Sequence, residues 1–105
     1  MKPQPKLDAR VRMKQILDAA LALACKGRSY TSLSRDEIAR AAGIPSSSLI
    51  QYHFGTMPDF QRDIMREAIR RECLPVIAQG LAVGDKRCKK LDPELKAKAL
   101  QALTA

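Results

Sequence analysis

Apolar side chains recur at Val11, Met13, Ile16, Leu17, Ala20, Leu21 and Ala24, the i, i+3, i+4 spacing that gathers them on one face of a helix. Asp8 stands where an N-cap is needed and Gly27 supplies a stop, so a first helix is expected between them. Ser34-Arg35-Asp36-Glu37 has the form of a capping box, in which serine hydroxyl and glutamate satisfy each other's orphan backbone donors. A second helix is expected to start there and to end at Gly43. Pro45 and the serines after it can restart a helix, because proline is tolerated in a first turn and serine caps well; this third helix should run to Phe54, before Gly55. Thr56-Met57-Pro58-Asp59 repeats the box, and Phe60, Ile64, Met65, Ala68 and Ile69 follow at helical spacing, which predicts a long fourth helix. Pro75 interrupts the continuing pattern of Cys73, Leu74, Val76 and Ile77, so a kink or break is expected. Gly80 and Gly84 close that segment, residues 85–90 read as a basic linker, and Asp92-Pro93-Glu94 opens a short last helix carrying Leu95, Ala99, Leu100 and Leu103. No stretch alternates with a period of two and nothing repeats, so the expected class is all-α.

A chain of 105 residues fits one core, and 46% hydrophobic with 29% charged residues is the composition of a chain that folds. The 19 Lys and Arg against 11 Asp and Glu leave a net charge of +8, which attracts polyanions, nucleic acid before anionic membrane. No run approaches the roughly 20 apolar residues of a membrane span. The start, Met-Lys-Pro-Gln-Pro-Lys, has no secretory pattern, so no membrane association and a cytoplasmic location are expected. Cys25, Cys73 and Cys88 are odd in number and contain no C-x-x-C pair, which argues against a disulfide framework and against zinc. Cys25 and Cys73 fall in helical patterns and are expected in the core, whereas Cys88, in a polar stretch, is expected to be a free thiol. His53 is the sole histidine, so neither a catalytic triad nor a metal centre can be assembled around it. With no phosphate-binding glycine loop and no paired carboxylates, the expectation is a non-enzyme without cofactor.

The segment from Ser34 to Phe54 carries the functional signal. Ala39 is small where two helices would approach, Gly43 permits a positive φ at the turn, and Ile38, Ala42, Ile44, Leu49 and Tyr52 are spaced to hold the pair together, as a helix-turn-helix requires. An ordinary helical hairpin would share several of these features. The run Ile16-Leu17-Asp18-Ala19-Ala20-Leu21, then Thr31-Ser32-Leu33, Asp36-Glu37-Ile38-Ala39, Ala42-Gly43-Ile44 and Leu49 to Phe54, resembles the DNA-binding domain of tetracycline-repressor-type (TetR-like) regulators over residues 11–65. The resemblance implies a three-helix, homeodomain-like bundle with its third helix in the major groove, extended here by the fourth and last helices. It implies base-facing roles around Ser46, Ser47, Ser48, Gln51 and Tyr52, and phosphate contacts near Thr31 and Ser32. Residues 67–105 are fewer than the family's ligand-binding domain takes, so no small-molecule inducer is expected.

The residues themselves support several of these roles. Serine hydroxyls at the start of a recognition helix can reach bases or phosphates, or can merely cap and solvate the helix. The Gln51 amide donates and accepts at once, which suits bidentate pairing with adenine; a solvated glutamine is the plain alternative. Tyr52 can face the groove or pack inward with its hydroxyl at the edge, and His53 can touch phosphate or pack half-buried. Residues 1–7 form a basic arm whose Lys2 and Lys6, with Arg10 beyond it, can bind phosphate or enter a minor groove, unless they only solvate the tail. Arg62, Arg66, Arg70 and Arg71 alternate with Asp63, Glu67 and Glu72 in a pattern of internal pairing.

The expected organisation is an arm (1–7), a DNA-binding domain (8–66) and C-terminal helices (67–105) that pair two copies through the apolar sides of the fourth and last helices. The expected function is sequence-specific regulation of transcription, as a homodimeric repressor on a palindromic site in double-stranded DNA. The rival readings are a helical protein-interaction module and a nucleic-acid binder without sequence preference, the latter disfavoured by only 4% aromatic residues.

Overall fold

The computed structural model describes residues 9–104, with side chains as far as residue 102; the basic arm, the Asp8 cap and the Leu103 side chain lie outside the described residues. The described chain is all-helical: α1 (Ala9–Cys25), α2 (Arg35–Ala42), α3 (Ser48–Phe54), α4 (Met57–Arg70), α5 (Leu74–Val83), α6 (Lys86–Lys89) and α7 (Pro93–Thr104). None of these helices is long and apolar enough to cross a membrane.

Both expected capping boxes form. Ser34 accepts from the Glu37 N–H while Glu37 accepts from the Ser34 N–H, and Thr56 and Asp59 do the same for α4. Gly43 closes α2 with φ 70°, a left-handed geometry that glycine adopts without a Cβ penalty, and the Ile44 N–H turns back to the Ala39 carbonyl at 3.1 Å. The expected long fourth helix ends at Arg70, ahead of Pro75. A proline fits only the first turn of a helix, so the chain must stop and restart just before it. The stop is a Schellman-type turn in which Glu72 takes the position usually held by glycine, at φ 53°, and the Cys73 N–H donates to the Ala68 carbonyl at 2.7 Å. The segment expected to be a basic linker instead contains α6, capped by Asp85, because Cys88 within it is drawn into the core.

One hydrophobic cluster runs from Ile16 on α1 through Ile38, Ile50, Phe60, Ile64 and Met65 to Val76, Ile77, Cys88 and Ala99. The helix stripes predicted from spacing line it, except at α1's exposed first turn, where Val11 faces water, and at Leu100 on α7, which is half-exposed. The apolar side of α4, expected to pair two copies, is spent within the chain: Phe60, Ile64, Met65 and Ala68 are all fully buried, because α1, α3 and α5 pack on this helix. On the C-terminal helices Ala99 is buried too, leaving Val83 and Leu100 as the exposed large apolar groups. Cys73 packs against the core and Cys88 is a free thiol, as expected, but the placements of Cys25 and Cys88 differ from expectation. Cys25 is exposed and Cys73 half-buried, while Cys88 is wholly buried with its Sγ 3.3 Å from Met65 Sδ.

Charged groups tie α1 to the end of α4. Asp18 bonds Lys14 at 2.8 Å and Arg71 at 2.7 Å, and Glu67 accepts from Arg71 at 2.5 Å and from Arg70. The hydrogen bond from Arg70 foremost, opposed by burial and reinforced by Arg71, pulls the Glu67 carboxyl from 4.5 down to about 2. A carboxyl lowered in the folded state stabilises it fully above the unfolded value, and the contribution is lost as pH falls from about 4.5 towards 2. Glu67→Gln is therefore expected to be less stable than the parent by about 1 to 2 kcal/mol at neutral pH, with the gap closing near pH 2. Thermal melts of the two proteins at both pH values check this; an unchanged gap in acid contradicts it.

Candidate nucleic-acid interface

The seven residues of α3 are held by one face. Ile50 and Phe54 are buried, Leu49 is half-buried, and the Phe54 ring lies 4.7 Å from that of Phe60. A helix fixed in this way must present the opposite face to solvent, and that face carries Gln51 and Tyr52. Tyr52 is 81% exposed, so it does not hold α2 to α3 as its spacing suggested; Ile38 and Ile44 do so from the core, with Ala42 and Leu49 half-buried beside them. His53, half-buried, stands edge-on to the Tyr52 ring at 5.1 Å.

The three serines differ from one another. Ser46 Oγ accepts from the Ser48 N–H at 3.2 Å and bonds the Ser48 hydroxyl at 2.7 Å, so these two exposed side chains order the entry to α3. Ser47 occupies the cap position without making a side-chain cap bond. Its side chain instead lines an open cleft of about 540 Å³ that it shares with Thr31, Ser32, Arg35, Met57 and Gln61, among others. Three of the predicted contact residues, Thr31, Ser32 and Ser47, thus meet on one surface although sixteen positions separate the first from the last in sequence. Arg10 is exposed on the first turn of α1, and Lys2 and Lys6 lie outside the described residues.

Spacing did not disclose Arg35. It lines the cleft from the first turn of α2, and its Nε is buried without a hydrogen-bond partner. The positive charge that Arg35 brings to the wall of this open cleft is suited to an incoming oxyanion.

Spacing also missed the residues that hold the 26–34 loop. The Gln79 amide, on α5, accepts from the Tyr30 N–H at 2.9 Å and donates to the Ala24 and Arg28 carbonyls, both at 3.0 Å. The buried Tyr30 hydroxyl donates to Asp85 at 2.8 Å, and burial with that carboxylate's charge pushes the phenol's pKa up. Gln61 on α4 donates to the Thr31 carbonyl at 3.2 Å, and Arg28 forms a two-pronged pair with Glu37 at 2.5 and 3.0 Å. Thr31's hydroxyl bonds Ser29 at 2.8 Å yet stays exposed.

Among the described residues no cluster of His, Cys, Asp and Glu could hold a metal ion. Comparison of the chain with protein-family models, with curated proteins and with solved structures finds no match, so the interface stands on its own geometry.

Proposed function

We propose that this chain is a sequence-specific DNA-binding regulator of transcription, acting in the cytoplasm as a homodimeric repressor on a palindromic operator. The observation that carries the reading is the outward face of α3: Gln51 and Tyr52 stand in solvent while Ile50 and Phe54 lock the helix from behind. A short helix so mounted can enter a major groove, and in this reading the hydroxyls and Arg35 that share the neighbouring cleft take the flanking phosphates. The TetR-like spacing of residues 11–65 and the +8 charge point the same way. In this reading α2 and α3 form the helix-turn-helix, Gln51 reads a base and Ser47, Thr31, Ser32 and Arg35 fix the register. Two copies would place their recognition helices about 34 Å apart on successive turns of one DNA face.

Selection of binding sites from random duplexes, followed by titration of two variants, tests the proposal. Gln51→Ala is expected to weaken the selected site by about 5- to 150-fold, the equivalent of 1 to 3 kcal/mol, while leaving random DNA little affected. Arg35→Ala is expected to weaken both duplexes alike and to lower the salt slope by about one unit. Failure to enrich any sequence overturns the assignment, as does an equal loss on both duplexes for Gln51→Ala.

A further inference from the structure

We infer that Cys25 and Cys73 form an oxidisable dithiol site that closes to an intramolecular disulfide, stapling the end of α1 to the start of α5. The two sulfurs lie 3.0 Å apart although 48 positions separate them in the chain. A disulfide bond is about 2.05 Å long, so closure asks the sulfurs to approach by roughly 1 Å, within the reach of small side-chain rotations. Both cysteines sit at helix ends, Cys25 as the last residue of α1 and Cys73 at the cap of α5, where no packed helix face has to move. Cys25 is exposed and Cys73 half-buried, so a small oxidant reaches the pair from solvent, whereas Cys88 is sealed in the core. The inference does not rest on DNA binding.

With hydrogen peroxide as oxidant the chemistry balances in two steps. The Cys25 thiolate attacks one peroxide oxygen; the S–O bond forms, the O–O bond breaks, and the departing hydroxide takes up a proton as water. The Cys73 thiolate then attacks the Cys25 sulfenic sulfur; the S–S bond forms, the S–O bond breaks, and a second water leaves. Two thiols have lost two electrons and two protons, and one peroxide has become two waters. Burial, with a further contribution from Cys73, pushes the Cys25 thiol up to about 11, so at neutral pH the thiolate is scarce. Closure should therefore quicken by roughly tenfold for each unit that pH rises towards that value.

The test uses the full chain treated with hydrogen peroxide under mildly alkaline conditions. Of three cysteines, closure consumes two and leaves one, so the thiol count after denaturation should fall from three to one. Peptide mapping should then join Cys25 to Cys73 within a monomer, and the thermal midpoint should rise by about 10 °C and return with dithiothreitol. Cys25→Ser and Cys73→Ser should each abolish the rise, and Cys88→Ser should keep it. Three persistent thiols, a bond involving Cys88, a cross-link between chains, or oxidation that stops at single sulfurs would each overturn the inference.

Discussion

Replacing Gln79 with alanine is expected to destabilise the protein by about 2 to 4 kcal/mol and to free the loop at residues 26–34, the largest change predicted for any polar side chain. The amide accepts from the Tyr30 N–H and donates to two carbonyls, Ala24 and Arg28, from one position on α5. Removing it leaves the Tyr30 N–H and the Arg28 carbonyl without a partner, while the Ala24 carbonyl keeps the Gly27 N–H at 3.2 Å and loses only its second bond; each unpartnered group in this partly buried seam costs about 1 to 3 kcal/mol less whatever water restores. Gln79→Glu should not rescue, because a carboxylate accepts but cannot donate, and it would face two carbonyl oxygens. Denaturant melts, with amide exchange read at residues 28–34, check the expectation. A loss under about 0.5 kcal/mol with unchanged exchange would show that the clamp holds nothing. On the proposed function, the same variant weakens binding to all duplexes, since Thr31 and Ser32 ride on the released loop.

Gly80→Ala should destabilise by about 1 to 3 kcal/mol through overpacking. A methyl built on Gly80 would lie 2.4 Å from Cys88 Sγ and 2.6 Å from Met65 Cε, closer than nonbonded atoms approach. Neither neighbour can retreat into solvent, because Met65 and Cys88 are both fully buried. Cys88→Ala deletes the nearer obstacle, so the double variant should lose less than the sum of the two single losses, a coupling that a double-mutant cycle resolves. Additive losses would mean that the strain lies elsewhere than at the sulfur.

The helices were legible because their signals are local. Capping boxes at Ser34 and Thr56, the left-handed Gly43 and the apolar spacing of α4 each act within a few residues, and the chain obeys them. Pro75 was read correctly as incompatible with a continuous helix, but the place of the break is set by Glu72 in a glycine-like conformation, which composition does not announce. Cys88 was misjudged because its charged neighbours describe the surface of α6, while its own side chain points inward at Gly80 and Met65. Within the candidate interface, Gln51 was identifiable from its place on α3. Arg35 was not, because it sits inside a capping box whose local meaning is complete without it, and Gln79 was not, because its partners lie 49 to 55 positions away.

The anchoring of the 26–34 loop has a consequence for how such a chain can change over generations. Two of the groups that set the loop's shape, Gln79 and Asp85, belong to the carboxy-terminal third. That third is consequently no interchangeable attachment: grafting a foreign segment after α4 would dismantle the surface in front of it. The outer face of α3 is open to single replacements that leave this scaffold untouched, whereas replacements at Gln79 or Asp85 reach the loop through the core.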